Sequence, residues 1–217
     1  MFVLQTKMSL LLHQIKPVMP YIKHLSKDKK LSSVIKKVGN VELKKRKNIF
    51  LSLCRSIMSQ QLSTKVADVI HDRFLTLFKG IEPTPEQLLK MPDEKLRAIG
   101  LSNSKVAYIK NVATFAIEKG LQTTKLNKMT NEEFIEYITE IKGVGKWTAE
   151  MILMFTLARE DVFSIDDYGI QQSVIGLYNI RIKDKKKLRA KLLAISQAWA
   201  PYRTYACMYL WRWRDGA

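Results

Sequence analysis

Residues 141–174 read IKGVGKWTAEMILMFTLAREDVFSIDDYGIQQSV, and the fold turns on how that stretch is parsed. Gly143 and Gly145 separate two segments of helical periodicity. Phe134, Ile135, Ile138 and Ile141 precede them, and the apolar run from Trp147 to Leu157 follows. Two glycines at this spacing remove side chains where a tight hairpin turns and where a ligand approaches the backbone. The amides that open the second helix then point outward, and the helix dipole favours an anion in front of them. Val144 is the expected apolar peg between the helices, while Lys142 and Lys146 add attraction for phosphate. The same hexapeptide also reads as a plain turn between two helices with glycine at its corners. It is not an ATP phosphate loop, because the wider spacing and the Gly-Lys-Ser/Thr ending are missing.

About twenty residues further lies Ser164-Ile165-Asp166-Asp167-Tyr168-Gly169. Adjacent carboxylates ahead of a helix have two readings. Aspartate is a favoured helix cap. In a strongly basic chain it is also a candidate active-site group, one that stabilises a developing sugar cation or orients a water. A phosphate contact is excluded, since like charges repel.

Outward from this region the pattern stays helical. Ile49, Leu53, Ile57, Leu62, Val66, Val69, Ile70, Phe74 and Phe78 predict a buried stripe on two helices, about 46–58 and 63–79, joined by a polar turn at Ser59-Gln60-Gln61. Thr84-Pro85-Glu86-Gln87 and Thr130 with Glu133 have capping-box spacing. Further helices are expected over 93–99, from 102–104 to 118, over 185–198 behind an Asp184 cap, and over 202–213. Near the amino terminus, Leu10, Leu11, Ile15, Val18, Ile22 and Leu25 could line one helical face across the break at Pro17 and Pro20. No stretch alternates long enough to demand a sheet. The expected fold is all-α, a single compact unit over 1–217 with two helical lobes. One spans approximately 50–160 and includes the hairpin 141–146; the other is formed by 1–49 and 161–217.

Charge narrows the function. The 217 residues carry 37 Lys and Arg against 20 Asp and Glu, a formal net charge of +17. Such an excess raises the local concentration of polyanions, whether DNA, RNA or an anionic membrane face, although a lysine-rich surface can also be merely solvated. At 47% hydrophobic residues the chain can bury a core, which excludes a disordered basic tail. Two cysteines, Cys54 and Cys207, are too few for a disulfide scaffold or a four-cysteine metal site. No run of about 20 apolar residues is present to span a membrane. The first twenty residues lack a charged leader and a cleavage site, and read as part of the domain. His13, His24 and His71 show no ligand or dyad spacing.

The segment 141–174 closely resembles the helix-hairpin-helix and catalytic-aspartate region of base-excision DNA glycosylases, most of all the alkylation-repair branch of 3-methyladenine DNA glycosylase II type. The resemblance extends upstream to Arg55-Ser56-Ile57-Met58-Ser59-Gln60-Gln61-Leu62-Ser63 and downstream through Trp199, Pro201, Tyr202, Arg203, Tyr205 and Trp211, covering roughly 45–213. It implies that Asp167 is the essential carboxylate and Asp166 a secondary, structural one. It implies that Lys142, Gly143, Val144, Gly145 and Lys146 hold the DNA backbone, and that Gln61 or Leu62 is the intercalating wedge. Trp147 and Trp211 match aromatic positions that border the base pocket; both also suit ordinary helix packing. Family members that cut the strand use a lysine two positions after the second hairpin glycine. Trp147 stands there, and an indole cannot form a Schiff base, so a monofunctional enzyme is implied. The amino-terminal sheet lobe of the best-known bacterial relative is not expected here.

The implied reaction is hydrolysis of the N-glycosidic bond of alkylated purines (3-methyladenine, with 7-methylguanine as a further substrate) in damaged double-stranded DNA, leaving an abasic site. The nucleotide must rotate out of the stack first. Asp167 then acts as an ionised carboxylate on the cationic sugar, and no cofactor or metal is needed, although a cation bridging hairpin carbonyls to phosphate is a feature of relatives. Expected partners are the damaged duplex and downstream abasic-site enzymes, for a monomer off the membrane, in the nucleoid or the nucleus according to cell type. Two alternatives stay open: a glycosylase for deaminated or mismatched bases, and a non-enzymatic helix-hairpin-helix DNA-binding protein in which Asp167 only caps a helix. Arg203 either touches phosphate or pairs with a carboxylate, and Lys185, Lys186 and Lys187 either contact DNA or form a solvated face.

Overall fold

A computed structural model describes residues 19–216. The proposed helical face through Leu10, Leu11, Ile15 and Val18, the break at Pro17, and His13 lie outside the described residues. Among those described there are helices and turns and no strand. The chain divides into two compact units, one of residues 42–168 and one of 19–41 together with 169–216.

The 42–168 unit is built on α3 (Ile49–Ser59), started by Asn48, whose side-chain oxygen accepts from the Leu51 amide at 2.9 Å. Its Ile49, Phe50, Leu53, Cys54, Ile57 and Met58 are all buried, while Arg55, Ser56 and Ser59 share the opposite, more open side, so a broad apolar face makes this helix the centre of the unit. Around it pack α4 (Thr64–Leu77), α7 (Asn103–Glu118) and α10 (Lys146–Phe155). The short helices α5 (Pro85–Lys90) and α6 (Asp93–Ala98) close against α7, and α9 (Asn131–Thr139) against α10; α8 (Thr123–Leu126) is a single turn. Both capping boxes form, at Thr84 with Gln87 and at Thr130 with Glu133.

The predicted stripe on α4 needs correction. Leu62, Val66 and Val69 are exposed, whereas Ala67, Ile70 and Phe74 are buried. Both sets have helical spacing. The face that packs is the one α3 covers, with fully buried Phe74 contributing about 1.5–3 kcal/mol.

The second unit joins the two chain ends. It contains α1 (Pro20–Leu25), α2 (Lys29–Val38), α11 (Tyr168–Tyr178, which begins at the unit boundary), α12 (Lys185–Gln197) and α13 (Arg203–Arg214). Helix α2 packs on α13, the Tyr21 and Tyr205 rings stack at 3.9 Å, and the Tyr21 hydroxyl donates to the Val41 carbonyl at 2.6 Å. Asp28 organises the unit's polar interior. Its carboxylate caps α2 through the amides of Lys30 and Leu31, and accepts from the Tyr178 hydroxyl and the Trp199 indole. Burial alone would raise the Asp28 pKa, but these four donors outweigh it and hold the group below the ordinary aspartate value.

Candidate active site

The hairpin forms where expected, between α9 and α10. Ile141 and Val144 are buried, the Val144 amide donates to the Ile141 carbonyl at 2.9 Å, and Lys142, Gly145 and Lys146 are exposed. The two glycines do different things. Gly143 has φ +105, a left-handed conformation, and a Cβ there would come within 2.2 Å of the Tyr108 ring. Tyr108 of α7 therefore roofs the turn, and Asn111, one helical turn on, donates to the Lys142 carbonyl at 3.0 Å. Gly145 has φ −96, accessible to any residue, and open space where a side chain would stand. It is the cap residue of α10 and offers no side-chain acceptor, which leaves the first amides of the helix without a side-chain partner. That is the arrangement an anion needs.

The second residue of α10 is Trp147. Its indole Nε1–H donates to Asp167 Oδ2 at 2.8 Å. Asp167 is 9% exposed, while Trp147 keeps 42% of its surface open. The hairpin helix thus reaches from its uncapped opening amides to the buried carboxylate within a single turn. Asp166 is exposed, and its carboxylate lies 3.7 Å from Lys146 Nζ; the same ammonium is 3.8 Å from Glu150. Lys146 is half exposed, so a phosphate would compete with two carboxylates for it.

The wedge candidates occupy the turn after α3. Gln61 adopts φ 59, unusual for a residue with a side chain, and both Gln61 and Leu62 are exposed. The turn is held by a residue that the sequence reading did not select. Lys105 Nζ donates to the carbonyls of Met58 at 2.9 Å and Gln60 at 2.7 Å, satisfying the carbonyl end of α3. Partial burial lowers the pKa of its ammonium. A signal existed: a lysine in the first turn of α7, behind its Ser102 cap, opposes the helix dipole and so needs a tertiary reason. Ser56, Ser59, Gln61, Lys105, Tyr108 and Trp147 are among the residues lining an open cleft of about 630 Å³, which joins the wedge turn to the indole within one unit.

Glu150 and Ser164 were also not singled out. Glu150, 3% exposed, is one turn beyond Trp147 on α10, and accepts from the Ser164 hydroxyl at 2.5 Å. Burial raises its pKa, partly opposed by the Ser164 hydrogen bond and Lys146. Trp211 and Arg203 lie on α13 in the other unit, both half-buried and both engaged in contacts. Lys185, Lys186 and Lys187 open α12 behind its Asp184 cap and are exposed.

Residues 54–197 match the family model of the HhH-GPD superfamily base excision DNA repair protein. The chain is 38% identical over 196 residues to DNA-3-methyladenine glycosylase 1 of Schizosaccharomyces pombe, covering 87% of this chain and 84% of that protein. Among solved structures it is similar to the DNA-3-methyladenine glycosidase of Bacillus halodurans, with 41% identity, a TM-score of 0.78, and 91% and 90% of the two chains covered. It is also similar to the S. pombe 3-methyladenine DNA glycosylase solved with abasic DNA, with 34% identity, a TM-score of 0.82, and 92% and 98% covered.

Proposed function

This chain belongs to the HhH-GPD superfamily of base excision DNA repair proteins, in the 3-methyladenine glycosylase branch, and we propose that it is a monofunctional glycosylase releasing alkylated purines, 3-methyladenine first, from duplex DNA. The observation that carries this reading is the 2.8 Å hydrogen bond from Trp147 to Asp167, made by the helix whose opening amides have no side-chain cap.

In the proposed reaction, the hairpin amides with Lys142 and Lys146 hold backbone phosphates, which positions the duplex without reading its sequence. The target nucleotide rotates out at a cost of a few kcal/mol, roughly, in lost stacking and pairing, and Gln61 or Leu62 fills the gap. The open face of Trp147 attracts a cationic alkylpurine through stacking and cation–π interaction. As the bond from C1′ to the base nitrogen breaks, its electron pair leaves with the base. The Asp167 carboxylate stabilises the cationic sugar, water adds at C1′, and the water's proton passes to solvent. The indole N–H keeps the carboxylate aimed throughout. With Trp147 where strand-cutting relatives carry a lysine, the product is an abasic site with an intact strand.

The test is D167N on duplex treated with a methylating agent, scored for base release before and after alkali. Duplex binding should survive while base release falls by orders of magnitude, and strand cleavage should need alkali. Equal release by mutant and wild type would reject the role assigned to Asp167, whereas no release by either would leave a helix-hairpin-helix DNA-binding protein. A panel of duplexes with 3-methyladenine, 7-methylguanine, hypoxanthine or a mismatch ranks the substrates.

A further inference from the structure

We propose that Glu150 and Ser164 are positioning residues that fix the backbone of Asp167, an inference that rests on the catalytic reading of that aspartate. The geometry is a closed ring within the 42–168 unit. Trp147 and Glu150 stand three residues apart on α10, so they leave the same side of the helix. Trp147 Nε1 donates to Asp167 Oδ2 at 2.8 Å. The Asp167 amide donates to the Ser164 carbonyl at 3.1 Å, and the Ser164 hydroxyl donates to Glu150 Oε2 at 2.5 Å. The side chain of Asp167 and the turn that carries it are therefore tied separately to one rigid helix. Lys146, from the same helix, adds an exposed and weaker tie to Asp166 at 3.7 Å.

The burial of this pair argues against an incidental contact. Ser164 is fully buried and Glu150 is 3% exposed. A carboxylate in such a place is costly unless hydrogen-bonded, and an apolar residue of the same size would avoid that cost. What an apolar residue cannot do is accept from Ser164 and hold the loop in register. Chemistry at a sugar cation is sensitive to displacements well under 1 Å, so a carboxylate whose side chain alone is held can still miss its target.

The experiment compares S164A, E150L, E150Q and D167N by single-turnover base release from methylated duplex and by affinity for a duplex carrying a tetrahydrofuran abasic analogue. S164A and E150L should release base about 10–100-fold more slowly while affinity changes by no more than about twofold. E150Q, whose amide oxygen can still accept from Ser164, should stay within about threefold of the wild-type rate. Three results would overturn the proposal: wild-type rates in S164A and E150L, affinity lost in step with rate, or E150Q as slow as E150L. If E150L does not fold, S164A and E150Q decide between the same outcomes. Undiminished release by D167N would instead remove the catalytic reading beneath the proposal, which separates the two failures.

Discussion

Trp147 and Asp167 are twenty positions apart and joined by a hydrogen bond of 2.8 Å from the indole to the carboxylate. The bond joins the helix that starts at the glycine hairpin to the turn that ends the 42–168 unit. With 42% of Trp147 still exposed, the proposed function gives the residue two tasks: its N–H holds the carboxylate and its exposed surface meets the base.

Those tasks separate by substitution. W147F keeps a smaller aromatic face and loses the donor. A hydrogen bond to a charged group contributes about 1.5–3 kcal/mol, so base release should slow by about 10–100-fold. Affinity for abasic-analogue duplex should be retained. W147A should lower both, and single-turnover rates beside equilibrium binding give the comparison.

The hairpin glycines should behave oppositely. At Gly143 an alanine meets both a left-handed backbone and the Tyr108 ring, costing about 1–3 kcal/mol or more of stability in urea unfolding. At Gly145 the backbone is ordinary and the space open, so G145A should unfold within about 0.5 kcal/mol of wild type. Its methyl group projects where phosphate is proposed to approach, so duplex affinity should fall in G145A although the fold is intact.

Glu150 gives a pH signature. Burial raises its folded pKa above the ordinary 4.5, so over the window above 4.5 the folded state holds its proton more tightly than the unfolded chain. Stability is then lost as pH rises through the folded value. Lys146 faces this carboxyl favourably, whereas Asp166 and Asp167 reinforce the shift. E150Q has no such ionisation. The unfolding free energy of wild type minus that of E150Q should therefore decrease as pH rises above 4.5.

Asp28 should show the reverse sign. Hydrogen bonds from Tyr178, Trp199 and two amides hold its folded pKa below the ordinary 3.8. Its contribution is present above 3.8 and disappears as pH falls through the lower folded value. D28N keeps a good helix cap, so its penalty at neutral pH reports the bonds to Tyr178 and Trp199. That penalty should shrink in urea titrations carried below pH 3.8.

Much of the fold was legible because the signals are local. Thr84 with Gln87 and Thr130 with Glu133 both form capping boxes, which need only three-residue spacing. Ser102 and Asp184 cap their helices for the same reason. The side of α4 that packs was not legible, since Val66 with Val69 and Ala67 with Ile70 have equally helical spacing. The position of Lys105 against the dipole of α7 marks it locally, but the carbonyls it satisfies lie 45 and 47 positions away. Glu150 lies within an apolar helical run, and its partner Ser164 is fourteen positions away, beyond local sequence signals.

From the sequence alone came most of the helices, several of their caps, the glycine hairpin and the adjacent aspartates, all set by chemistry within a few residues of chain; α2 with its Asp28 cap and the single turn α8 did not. The tertiary structure alone decided which aspartate is buried against Trp147, which glycine requires its conformation, and which polar groups hold the wedge turn. The physical reason is that burial and long-range hydrogen bonds depend on which surfaces meet. A single strand of sequence carries the periodicity of a face but not the identity of its partner.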